Sequence, residues 1–125
     1  MPLSIRFTNY LYILAGVSFG KMPSPQEKVE VSGFKGVDDS VMAVVNRRIS
    51  YYLSRYSKLC SGFEKLAVKM KKVHVQQRSE KYEVHISVFD KGRIFTSTVT
   101  GRDLMLALET ALSKVESEIS KTIML

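Results

Sequence analysis

Cysteine is nearly absent from this chain of 125 residues, with Cys60 the single example. A lone cysteine has no partner for an internal disulfide, which excludes the framework of a small secreted domain and favours a reducing compartment. Glycine and proline are also sparse, at seven and three, and the chain is 45% hydrophobic and 25% charged. That balance excludes disordered, collagen-like and coiled-coil chains and suits one globular domain. No apolar run reaches the roughly 20 residues that span a bilayer. No glycine-rich turn leads into the lysine and hydroxyl of a P-loop. The two histidines, His74 and His85, have no cysteine or carboxylate at metal-ligand spacing. Cys60 has no histidine in sequence to activate it. Neither a catalytic site nor a cofactor is expected.

Acidic residues are missing most conspicuously from one stretch. Residues 1–40 and 79–125 carry net charges of zero and −1, whereas residues 41–78 hold nine basic side chains and only Glu64 against them. The net charge of +7 therefore comes from 38 consecutive residues. Concentrated charge of one sign favours an anionic partner such as nucleic acid over a simply solvated surface.

The first 27 residues read as a leader distinct from the domain at 28–125. Phe7 to Gly20 is largely apolar, with Arg6 before it. It has the length of a signal-peptide core but no clear small-x-small cleavage site, and export would place a basic, disulfide-free domain outside the cell. The alternatives are an extra packed element or a flexible leader, and translation starting at Met22 is a further reading. The expectation is a leader dispensable for the core activity.

Periodicity then orders the domain. Lys28 to Ser32 alternates as a short strand. Gly33-Phe34-Lys35-Gly36 matches the GxxG of KH domains, but it follows a strand, so a turn is expected. Asp38, Asp39 and Ser40 are helix caps, and Val41, Val45, Ile49, Tyr52, Leu53 and Tyr56 form one stripe of a helix reaching Leu59. Leu66, Val68 and Met70 alternate with Lys65, Lys69 and Lys71, giving a strand with a core face and a basic face. Val73 and Val75 fall in the opposite phase, which predicts a bulge near Lys71 and Lys72. A polar turn follows from Gln76 to Glu80. Tyr82, Val84, Ile86 and Val88 make a third strand, Asp90-Lys91-Gly92 a hairpin, and Arg93 to Thr100 a fourth. Asp103 caps a closing helix with the stripe Leu104, Leu108, Ala111, Val115 and Ile119. The order β-α-β-β-β-α predicts an α+β fold: a four-stranded mixed sheet, its first two strands parallel, with two helices on one face.

Arg48, Tyr51, Arg55 and Lys58 share one face of the first helix, with Arg47 beside them. They can neutralise phosphates around an aromatic stacking surface. The competing reading is a solvated face with a snorkelling tyrosine. Against it, the helix has no carboxylate beyond its caps to pair these cations.

Residues 28–121 resemble the ribosome hibernation-promoting factor family, which includes ribosome-associated inhibitor A. The resemblance is carried by DLMLALETALSKVESEISK at Asp103–Lys121, where Asp103, Ala107, Ala111, Lys114, Glu116 and Lys121 fit the family's closing motif, and by the paired Arg47 and Arg48 on a capped helix. It implies a double-stranded-RNA-binding-like fold that docks on the small ribosomal subunit, in the channel of mRNA and tRNA, and silences idle ribosomes. The chain stops soon after the last helix, like the family's short form without a dimerising tail. A cytoplasmic monomer without small-molecule substrate, membrane or metal is expected, with rRNA as its partner. On this reading Arg47, Arg48, Arg55 and Lys58 contact rRNA from the first helix. Lys69, Lys71, Lys72 and Arg78 do so from the second strand and the turn after it, and Lys114 and Lys121 from the second helix. Tyr51 stacks on a base or ribose. The rivals are a free-standing module for structured RNA and a protein-interaction domain pairing through its open sheet face.

Overall fold

The computed structural model describes residues 28–76 and 79–123, so the leader and Arg78 lie outside the described residues. The elements run β1 (Val29–Ser32), α1 (Asp39–Leu59), β2 (Phe63–Gln76), β3 (Ser79–Asp90), β4 (Arg93–Gly101) and α2 (Leu104–Ile123). The sheet order is β1-β2-β3-β4, with β1 parallel to β2 and the other pairs antiparallel. This is the α+β arrangement that the periodicities predict.

The helical layer forms because each helix offers one apolar stripe. Val45, Ile49, Tyr52, Leu53 and Tyr56 are the buried residues of α1. Leu108, Leu112, Val115 and Ile119 anchor α2, with Ala107 and Ala111 allowing close approach. Beneath them, Leu66, Val68 and Met70 of β2 face Val88, Ile86 and Val84 of β3, all buried. Asp103 caps α2 as expected, its Oδ1 accepting from the Leu106 amide at 3.1 Å. Asp38 caps α1 through its backbone only: its carbonyl accepts from Met42, while its carboxylate accepts from the Ser40 hydroxyl.

The turns follow from backbone sterics. Lys91 and Gly92 both have positive φ, at 46° and 82°, as the right-twisted two-residue hairpin between β3 and β4 requires. The Asp90 carboxylate, buried to 2% exposure, accepts from the Gly62 amide and from Arg93, each at 3.0 Å. It ties that hairpin to the end of α1. The GxxG segment is a turn between β1 and α1 that inserts Phe34 into the core. A Cβ on Gly33 would stand 1.8 Å from the Met70 carbonyl oxygen, so the glycine serves close strand packing.

One expectation fails. Lys71 and Lys72 pair without interruption with Glu83 and Tyr82, and the register shifts of β2 lie between Phe63 and Lys65 and between His74 and Gln76. The β2–β3 ribbon runs on past Met70 without a shift until His74, so Val73 keeps the parity of Lys69 and Lys71 and lies on the open face opposite Lys81. Both strands also extend into the predicted polar turn, with Gln76 opposite Ser79. No helix among the described residues is long and apolar enough to cross a membrane.

Candidate nucleic-acid interface

The two helices are joined by ion pairs that neither helix shows alone. Arg48 donates from Nε and Nη2 to the two carboxylate oxygens of Glu109, each at 2.8 Å. The Tyr52 hydroxyl donates to the same carboxylate at 2.7 Å. Seven residues further along both helices, Arg55 donates to Glu116, its Nε standing 2.9 Å from Oε2. The equal seven-residue step shows that α1 and α2 run parallel. Between these levels the buried Tyr56 hydroxyl donates to the Leu112 carbonyl at 2.6 Å.

α1 has no carboxylate of its own beyond its caps, as expected, but two of its cations, Arg48 and Arg55, find partners on α2. The carboxylates stand 61 residues away in sequence. Arg48 and Arg55 are seam residues that share their charge with a carboxylate while staying partly exposed. They also frame Tyr51. The ring is 48% exposed, with the guanidinium carbons of Arg48 and Arg55 at 4.8 and 5.7 Å from its centroid. Tyr52 meets it edge-on at 5.2 Å. The seam therefore holds an aromatic surface in one place, which suits it to stack on a base.

Electrostatics follow the same geometry. Hydrogen bonding from Arg48 and Tyr52 holds the Glu109 carboxyl below its ordinary range. Burial and the bond to Glu109 push the Tyr52 phenol up to about 12. Burial, with Asp90 beside it, pushes the Cys60 thiol up to about 11, so its thiolate is scarce at neutral pH and the residue is a core group.

The remaining cations fall on separate surfaces. Arg47 and Lys58 are exposed on α1 and form no ion pair among the described residues. Eleven residues apart, they share one helix face, about 16 Å apart along the axis. Lys114 and Lys121, also exposed, each follow Glu109 or Glu116 by five residues, about 140° around the helix. They lie on the flank of α2 turned away from α1. Lys69 and Lys71 project from the open face of the sheet, where Lys71 pairs with Glu83 at 3.6 Å. Lys72 has the opposite parity and lies on the helix side of the sheet, opposite Tyr82 of β3.

Register also assembles a row that the sequence alone does not reveal. Ser32, Lys69, His85 and Thr98 lie side by side across all four strands, with His85 Nδ1 3.1 Å from the Thr98 hydroxyl. Lys65, on the same open face, pairs with Glu30 at 3.3 Å and covers the Phe89 ring at 5.0 Å. The period-two phase of Lys65, Lys69 and Lys71 foretold their common face. The cross-strand partners needed the register. Among the described residues no three of His, Cys, Asp and Glu group closely enough to hold a metal ion.

The expected site residues thus do not converge on one patch. They occupy both broad faces of a two-layer domain, the outer surface of the helices and the open surface of the sheet. A scan against protein-family models finds no match, and neither does a search of curated proteins.

Proposed function

We propose that this protein is a ribosome-binding hibernation factor that occupies the mRNA and tRNA channel of the small subunit and keeps idle ribosomes from translating. It acts by occupancy, without catalysis, in the cytoplasm. The observation that carries the reading is the placement of exposed cations on opposite faces of the domain: Arg47, Lys58, Lys114 and Lys121 over the helices, Lys69 on the sheet. A single RNA duplex touches one face of a domain this thin. A channel encloses it and meets both. The β-α-β-β-β-α topology and the closing-helix motif support the same family resemblance.

The roles of the residues follow from their pairing. Arg47, Lys58, Lys69, Lys72, Lys114 and Lys121 meet rRNA phosphates, and Lys71 does so with its charge shared with Glu83. Tyr51 stacks on a base, held by Arg48 and Arg55, which contribute through the seam. Sedimentation of a lysate from starved cells on a sucrose gradient tests the proposal. The protein is expected with small subunits or whole ribosomes, and added mRNA and tRNA should reduce its share there. Recovery only in ribosome-free fractions would sink the proposal. Co-sedimentation insensitive to those competitors would place the protein elsewhere on the ribosome.

A further inference from the structure

We propose that the outer edge of β4 pairs two copies of this chain into a dimer with one continuous eight-stranded sheet. Among the described residues β4 is the last strand of the sheet, so one row of its backbone amides and carbonyls has no strand partner. Such an edge is a template for another strand unless the sequence blunts it. The opposite edge is blunted: β1 is only four residues long and carries Glu30. β4 is longer, and its one charged residue, Arg93, stands at the hairpin end, paired with Asp90 and lying over the Phe95 ring. The nine residues of β4 extend about 30 Å, pair with β3 without a bulge, and include seven consecutive uncharged residues, Ile94 to Thr100, with no proline.

Its side chains are self-complementary about a two-fold axis at Ser97. An antiparallel pairing centred there sets Phe95 against the partner's Val99 on the helix side. It sets Thr96 against the partner's Thr98 on the open side. Aromatic with β-branched and Thr with Thr are favourable cross-strand pairs. Phe95 and Val99 are only half-buried, whereas their β3 neighbours Val88 and Val84 are fully buried. A second copy completes that burial. Ser97 is already fixed, its hydroxyl donating to the Ala111 carbonyl at 2.8 Å, so the strand needs little ordering on pairing. The sequence led to the expectation of a monomer; strand pairing at the β4 edge is a route to association that this expectation did not weigh.

Sedimentation velocity of the full chain tests this. The pairing is narrow, so the average mass is expected to rise with protein concentration towards twice that of the chain. Each copy carries +7, so added salt should strengthen the dimer by screening their repulsion, the reverse of its effect on RNA binding. Thr96→Lys with Thr98→Lys places four lysines across the seam from exposed positions and should restore single-chain mass at every concentration, with an unchanged circular-dichroism spectrum. Ser57→Lys with Ser61→Lys, which adds the same charge away from the edge, should leave the dimer intact. Single-chain mass for the unaltered protein throughout, or a dimer that survives the β4 substitutions, overturns the proposal. So does a dimer lost equally in both variants, or a single-chain species whose outward-facing β4 amides, those not bonded to β3, resist hydrogen exchange, since another segment of the chain then covers the edge.

Discussion

At the scale of single residues, Glu109 carries the most. It accepts from both the Arg48 guanidinium and the Tyr52 hydroxyl, and these bonds lower its folded-state pKa beneath the usual value of 4.5. A carboxyl with a depressed folded pKa stabilises the fold fully above its unfolded pKa and loses that contribution as pH falls through the folded one. Thermal stability should therefore drop more steeply in acid, below about pH 4.5, for the unaltered protein than for Glu109→Gln. The two melting profiles should converge at low pH, and parallel profiles down to the acid limit would show that the carboxylate adds nothing. Tyr52 stays protonated over this range, since its phenol is pushed up to about 12, so the profile reports the carboxylate.

At the scale of elements, the helical seam separates cations that hold the fold from cations available to a partner. Arg48 and Arg55 belong to the first group, and Arg47 and Lys58 to the second. Arg48→Ala should lower thermal stability, and a double-mutant cycle with Glu109→Ala should give a coupling of about 0.5–1 kcal/mol, since the pair is bidentate but partly exposed. Arg47→Ala with Lys58→Ala should leave stability unchanged. If both residues meet phosphate, the slope of log K against log salt should flatten by about 0.7–0.9 for each phosphate that is no longer neutralised. Filter binding to ribosomal subunits over a salt series, beside thermal melts, checks both. Equal weakening of RNA binding by Arg48→Ala at unchanged stability would return that arginine to the RNA-facing surface.

At the scale of the whole molecule, the two layers present their cations in opposite directions. Lys69→Ala on the sheet and Lys114→Ala on α2 should each weaken ribosome binding by a few-fold. Their combination should multiply the two effects, because distant sites act independently. Weakening by one substitution alone would identify a one-faced RNA reader and favour a free-standing module for structured RNA. The proposed dimer uses the edge between these faces and leaves both open.

Local pattern alone determined the element order, the apolar stripes, the α2 cap and the hairpin at Lys91. Each depends on residues within a turn or two of one another, as helical and strand periods do. It also showed that Lys65, Lys69 and Lys71 share a face, because strand parity is local. Only tertiary structure decided the fate of Arg48 and Arg55. Their partners Glu109 and Glu116 lie 61 residues away, and they meet only because α1 and α2 pack parallel in one register. The uninterrupted β2–β3 ladder through Lys71 and Lys72, and the row from Ser32 to Thr98, likewise depend on pairing between strands. Periodicity reports which way a side chain points from its own element, and packing between elements determines what it meets there.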